Sequence, residues 1–338
     1  KRKLGRTGLE VTALGMGGAP LGDIYDSLDD DVAIATVEAA VECGVTLFDA
    51  APLYGQGMAE HRYGTGLRRH LPDDLVLSTK VGRLLVPAPQ GRTKRTRFVG
   101  GLQFDVVDDY SYDGAMRSYE QSIVRFGLPR IDILLIHDAD PWGHGPVEGP
   151  KRYREAMEGA YRALDRLRSE GLIKGIGFGT NDPVYAANFL RDGDFDCFLL
   201  AGRYSLLEQP GLTEVLPLAS SKNVGVMLGG VFNSGILATG PIEGARYNYT
   251  PAPTDILDKV RKIEAVCQRH ATPLATAAVQ FCIGHPQVSS VVLGGVRPAE
   301  VQQNVSAITA DVPVDLWSEL KAEGLLTADA PVPSGKTA

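Results

Sequence analysis

The chain has little of what several function classes require. Its four cysteines, Cys43, Cys197, Cys267 and Cys282, are scattered and form no Cys-x-x-Cys pair. They offer no redox or metal pairing and predict small buried hydrophobes in a reducing cytoplasm. No apolar run approaches the roughly 20 residues of a membrane span, so no membrane association is predicted. The start, Lys1-Arg2-Lys3-Leu4-Gly5, lacks the apolar core of a signal peptide. The sequon Asn248-Tyr249-Thr250 then has no glycosylating compartment to matter in. Positive charge is also short. A net charge of −7 argues against a nucleic-acid partner. The one local basic run, Lys94, Arg95 and Arg97, reads as a solvated loop.

What the chain does have is apolar material in a repeating order. Hydrophobic residues make up 44% of it, which supports a large core and excludes disorder. Lys3-Leu4 and Leu9-Glu10-Val11, joined through Gly5-Arg6-Thr7-Gly8, read as an N-terminal β-hairpin. Val11–Gly17 then reads as a first strand, and Asp29-Asp30-Asp31 opens a helix on its favoured acidic end. The unit recurs. Helical spacing over 58–69, 113–126, 153–171, 183–190, 211–221, 256–270 and 275–283 alternates with short β runs. Eight such runs predict an α/β architecture, a closed (β/α)8 TIM barrel, rather than an open sheet. No linker divides residues 1–327, read as one domain, and 328–338 reads as a flexible C-terminal tail. Two stretches, 83–112 and 233–254, are longer than barrel loops need to be and predict functional loops over the C-terminal face.

Three β runs end in chemistry. Leu47-Phe48-Asp49, Val76 to Lys80 and Ile133 to His137 place Asp49, Lys80 and His137 at strand ends, with Tyr54 on the loop after the first. In a parallel barrel those ends share one face. Each has a plainer reading alone. Asp49 could cap a turn, His137 could be a satisfied core residue, and Tyr54 could be an ordinary loop aromatic. Lys80 is the odd one, because a lysine ending a Val- and Leu-rich strand needs a partner. Together they suit carbonyl reduction or alcohol oxidation. A tyrosine with a pKa of about 10 is a weak base near neutrality. An adjacent Lys80 ammonium would lower that pKa, Asp49 would orient the lysine, and His137 would donate to the substrate oxygen.

At these residues the sequence closely resembles the aldo-keto reductase superfamily. The resemblance lies in Phe48-Asp49-Ala50-Ala51-Pro52-Leu53-Tyr54-Gly55, in Lys80, in Asp132 to His137 and in Ile176-Gly177-Phe178-Gly179-Thr180-Asn181. It spans about Leu4 to Asn304. It implies a nicotinamide dinucleotide and a catalytic set of Asp49, Tyr54, Lys80 and His137, with Tyr54 as acid/base. It also implies that Thr180 and Asn181 hold the carboxamide. The glutamine usual on the next strand end falls at Ala201 or Gly202, and the usual stacking aromatic falls at Gly229. The run Gly229-Gly230-Val231-Phe232-Asn233-Ser234-Gly235 is similar to the branch containing D-threo-aldose (L-fucose) 1-dehydrogenases and pyridoxal 4-dehydrogenases, and the resemblance implies cofactor contacts there. At the adenosine end it implies contacts from Gly294, Gly295, Arg297, Glu300 and Asn304. An acid, Glu300, where a cation or glutamine is common favours NAD over NADP, while Arg297 argues the other way. The implied substrate is a small carbonyl compound, sugar or pyridoxal-type molecule.

Two other classes compete. His137-Asp138-Ala139-Asp140 and His144 suggest a metal-dependent hydrolase, but six histidines are few for the ligand sets such barrels use. A cofactor-sensing binding subunit with little turnover is the non-enzymatic alternative. The glycines of 175–181 suggest a Rossmann turn, which Thr180 breaks.

Overall fold

The computed structural model describes residues 1–92 and 97–334. Eight strands form a closed barrel: β1 (Leu14–Gly17), β2 (Leu47–Asp49), β3 (Val76–Val81), β4 (Ile133–His137), β5 (Gly175–Thr180), β6 (Cys197–Ala201), β7 (Gly225–Gly229) and β8 (Val288–Gly294). Neighbours in sequence pair in parallel, and β8 returns to β1 through Val291↔Leu14 to Gly294↔Gly17. Helices lie between the strands, as parallel connections require. Capping explains where several begin. The Asp29 carboxylate accepts from the amides of Asp31 and Val32 at the start of Asp30–Glu42. Ser111 caps Tyr112–Phe126, which ends at left-handed Gly127.

Alternation of side chains sorts the core into two layers. Leu47, Val76, Ile133, Leu135, Cys197, Leu199, Met227 and Val292 fill the barrel, and Leu4 and Val11 of the N-terminal hairpin plug its lower end. The opposite faces, including Phe48, Leu77, Leu134, Phe178 and Phe198, pack against the helices. Asp49 is in phase with Leu47, Lys80 with Val76, and His137 with Ile133 and Leu135. The pleat therefore aims all three into the upper mouth of the barrel.

Several elements differ from expectation. Val11 belongs to the hairpin, paired with Arg2, so β1 begins only at Leu14. The helix predicted from Tyr153 begins earlier: a short turn from Pro141, capped by Asp140, breaks at Gly145 (φ 77°), and the helix then runs from Pro146 through Tyr153. It continues through a π turn at Ala156–Ala160 into Tyr161–Ser169. The 83–112 stretch holds an antiparallel hairpin, Arg83–Pro87 against Phe104–Asp108, and its Lys94 and Arg95 lie outside the described residues. The 233–254 stretch holds a second, Arg246–Tyr247 against Thr250–Pro251, turned by Asn248 and Tyr249, both at positive φ. Cys43 is exposed, unlike the other three free cysteines. In the predicted tail, Ala330 is buried and its carbonyl accepts from Lys321 Nζ at 2.7 Å; 335–338 lie outside the described residues. No helix among the described residues is long and apolar enough to cross a membrane.

The loop after β2 is held by contact too close for any side chain. A Cβ on Gly22 would lie 2.5 Å from the Tyr54 carbonyl carbon and the Gly55 nitrogen. Gly22→Ala should therefore cost about 1–3 kcal/mol as an overpacked site. Urea unfolding of the variant measures this, and an unchanged midpoint would show that the loop yields freely.

Candidate active site

The mouth of the barrel is organised by one buried ion pair. Lys80 Nζ donates to Asp49 Oδ2 at 2.6 Å and to the Ala50 carbonyl at 2.7 Å. Both side chains are almost wholly buried, at 1% and 3% exposure, so neither has water as an alternative partner. Ser78, which sits beside Asp49 in the β2–β3 register and two residues before Lys80, donates to the other carboxylate oxygen at 2.9 Å. The lysine stem runs alongside Gly179, where a Cβ would lie 3.4 Å from Lys80 Cε, an ordinary contact. Sequence reasoning missed Ser78, although its place in phase with Lys80 on one strand was a usable signal.

Tyr54 and His137 close over this pair. The Lys80 nitrogen lies 4.8 Å from the Tyr54 ring centroid, and the Tyr54 and His137 rings meet edge to face at 5.7 Å. Phe98 flanks Tyr54 at 5.8 Å. Burial first, then the charges of Asp49, Tyr249 and Asp138, push the Tyr54 phenol well above its ordinary pKa; Arg83 opposes them. The lowering expected from Lys80 is not found: the lysine is paired with Asp49 at 2.6 Å, and the Asp49 charge raises the phenol instead. Burial, Arg83 and Lys80 hold His137 well below the usual histidine range, so it is neutral near pH 7.

A second layer, outside the predicted set, surrounds His137. Tyr110 donates its hydroxyl to the His137 carbonyl at 2.6 Å and accepts from His144 Nε2 at 2.9 Å. Arg83 Nη1 is 3.3 Å from Asp138 Oδ2, which is 3.5 Å from His137 Nε2. Among the described residues, no group of three or more His, Cys, Asp or Glu side chains is arranged to hold a metal ion.

The predicted cofactor residues divide into three places. Thr180 donates its hydroxyl to Asp140, while Asn181 Nδ2 donates to the Ala201 carbonyl at 3.1 Å. Beside them Leu199 packs against Gly229: a Cβ on Gly229 would lie 2.9 Å from Leu199 Cδ2 and 3.7 Å from the Cβ of Ala201. Gly230, Asn233, Ser234 and Gly235 all have positive φ, which turns the chain sharply after β7, and Phe232 caps that turn. This turn returns Asn233 toward β6, where its Nδ2 is 3.9 Å from the position a Cβ on Gly202 would take. Asn233 is buried, and Glu208 takes its Nδ2 at 3.0 Å while its Oδ1 is unpartnered. His137 Nδ1 is likewise buried without a partner. Further round the mouth, Glu300 Oε2 accepts from the Val296 amide at 2.9 Å and Asn304 Nδ2 donates to the Gly294 carbonyl at 3.3 Å. Gly295 lies at the same helix start, and Arg297 is exposed there. Among the described residues the buried Asn233 amide oxygen has no partner and suits a ligand amide donor, and the helix start suits an anion.

Comparison with known proteins agrees with this geometry. Residues 13–322 match the sequence model of the Aldo/keto reductase family. A pyridoxal 4-dehydrogenase from Microbacterium luteolum is 41% identical over 97% of this chain and 98% of its own. A D-threo-aldose 1-dehydrogenase from a Pseudomonas species is 39% identical over 94% and 96%. Among solved structures, the holo form of an aldo-keto reductase from Bacillus halodurans superposes with a TM-score of 0.73 at 23% identity, over 97% of this chain and 96% of that one, which shows the shared fold.

Breaking the buried pair from one side should be costly. Lys80→Met strands the Asp49 carboxylate, and a loss of about 3–5 kcal/mol is expected in urea unfolding. The double variant Lys80→Met with Asp49→Asn should regain most of it, and equal losses in the two would contradict the pairing argument.

Proposed function

Because the chain belongs to the aldo/keto reductase family and is an NAD(P)-dependent oxidoreductase, we propose that it oxidises a cyclic hemiacetal to a lactone, as an aldose 1-dehydrogenase of the D-threo-aldose or L-fucose type. Pyridoxal, which also forms an internal hemiacetal, is the second reading, supported by the 41% identical relative. The observation that carries the proposal is the convergence of Tyr54 and His137 over the Lys80–Asp49 pair. A cytoplasmic setting is part of this reading, supported by the four free cysteines.

In this reading NAD(P), when bound, supplies the hydride acceptor. Tyr54 takes the proton from the hemiacetal hydroxyl in oxidation and returns one to the carbonyl oxygen in reduction. Neutral His137 orients that oxygen by hydrogen bonding. Asp49 and Lys80 hold the floor against which Tyr54 rests, and Ser78 keeps the carboxylate in place. Asn181 and Asn233 are the amides we assign to the carboxamide end, with Asn233 standing in for the glutamine that Ala201 and Gly202 lack. Thr180 braces that end through Asp140, and Gly229 together with Leu199 forms the seat that an aromatic provides elsewhere in the family.

Tyr54→Phe should lose about 10²–10⁴-fold in turnover, while dinucleotide affinity measured by fluorescence titration stays near wild type. The pH profile has a definite sign. With its pKa raised, Tyr54 is protonated throughout the neutral range, so reduction should be nearly flat from pH 6 to 9 and oxidation should climb with pH beyond 9. Oxidation that levels off below pH 8, with chemistry rate-limiting, would assign the proton to another group.

Cofactor choice is read from the adenosine end. Glu300 is fixed by the Val296 amide, while Arg297 is exposed. A fixed carboxylate repels a 2′-phosphate and can accept from a ribose diol, so we assign a preference for NAD over NADP. Glu300→Arg should raise kcat/KM for NADP relative to NAD. A wild type that favours NADP tenfold, about 1.4 kcal/mol, would give the decision to Arg297.

A further inference from the structure

Asp138 follows His137 directly and occupies the left-handed region, at φ 47°, which a non-glycine residue adopts at a cost. Its conformation is enforced. Its amide donates to the Gly179 carbonyl at 2.9 Å, and its own carbonyl lies 2.4 Å from where a Cβ on Gly143 would be. The result is a carboxylate whose Oδ2 lies 3.5 Å from His137 Nε2 and 3.3 Å from Arg83 Nη1. Among the described residues no hydrogen bond falls on Oδ1. The side chain is 18% exposed, whereas Lys80 and Asp49 beneath it are shut from solvent.

A purely structural ion pair does not account for this. Arg83 already has a second carboxylate, Asp108, 3.6 Å from its Nε. Arg83 thus serves two carboxylates, and a left-handed backbone directs one of them to the side of the catalytic imidazole. Strain of that kind concentrates where a ligand is gripped. Behind burial, the charge of Asp138 contributes to the raised pKa of both Tyr54 and Tyr249, and Arg97, over the Tyr249 ring at 4.0 Å, opposes it at Tyr249.

We propose that Asp138 is a specificity-determining residue: its carboxylate accepts a hydrogen bond from a hydroxyl on the carbon next to the reacting one, while Tyr54 and His137 act on the reacting oxygen. Arg83 sets the angle of the carboxylate as a positioning residue. The substrate class is then an α-hydroxy carbonyl compound or its hemiacetal, a definition that covers aldoses and discriminates against simple aldehydes. This rests on the assignment of Tyr54 and His137 to the reacting oxygen.

A matched pair of substrates tests it. Glycolaldehyde and acetaldehyde differ by the one hydroxyl, and each is reduced by hydride from NADH to the carbonyl carbon with a proton to the oxygen. Wild type should favour glycolaldehyde in kcat/KM by tenfold or more. In Asp138→Ala that ratio should collapse toward one, mainly through KM for glycolaldehyde, with acetaldehyde reduction falling far less. Asp138→Asn, which keeps an acceptor of the same shape, should retain part of the ratio and guards against misfolding as the explanation. A wild-type ratio near one, a ratio unaltered in Asp138→Ala, or parallel loss on both aldehydes in a folded variant overturns the assignment. If the wild type turns over neither glycolaldehyde nor any aldose, the aldose reading fails along with this inference. If aldoses are oxidised but the ratio does not respond to Asp138, only the present inference fails.

Discussion

A lysine ammonium enclosed at the top of the barrel is the constraint to which the rest of the site conforms. Taking such an ion from water costs several kcal/mol unless charge and hydrogen bonds replace the lost solvation. Asp49, Ala50 and Ser78 supply that replacement, and each depends on the β2–β3 register that sets Asp49 beside Ser78. A slip of one residue between these strands would turn Lys80 out among the helices and leave Asp49 alone in the barrel. The lysine stem also packs against Gly179 on β5. Three strands thus meet at one charge.

The same pairing governs the proposed chemistry. Once Asp49 has neutralised Lys80, the pair has little charge left with which to stabilise a phenolate, and burial keeps the Tyr54 proton in place. Histidine at 137 is held neutral by burial and nearby cations, which leaves it a hydrogen-bonding group rather than a charge. One layer further out, Asp108 and Asp138 share Arg83. That layer holds carboxylate acceptors together with a further cation, Arg97, over the Tyr249 ring at 4.0 Å.

Much of this was legible from the chain. Met58–Arg69 was predicted to the residue, because its apolar spacing is regular. The strand ends bearing Asp49, Lys80 and His137 stood out because a charged or titratable residue interrupts an apolar run. The segment from Pro141 did not stand out, since its glycines and prolines read as a loop; Gly145 does break it, and helix resumes at Pro146. Nor did the Arg83–Asp108 hairpin, whose two strands are separated by a long excursion with no turn signature.

By itself the sequence determined the alternation of strand and helix, the closure into a barrel and the identity of the residues that end its strands, because those follow from periodicity and from the common polarity of parallel strands. Only the tertiary structure decided what those residues experience. The elevated phenol of Tyr54, the packing of Leu199 against Gly229, the return of Asn233 toward Gly202 and the grip of Arg83 on Asp138 each join positions up to 195 residues apart. Such effects are sums of burial and Coulomb interactions over distances in space, and local pattern along the chain carries no record of them.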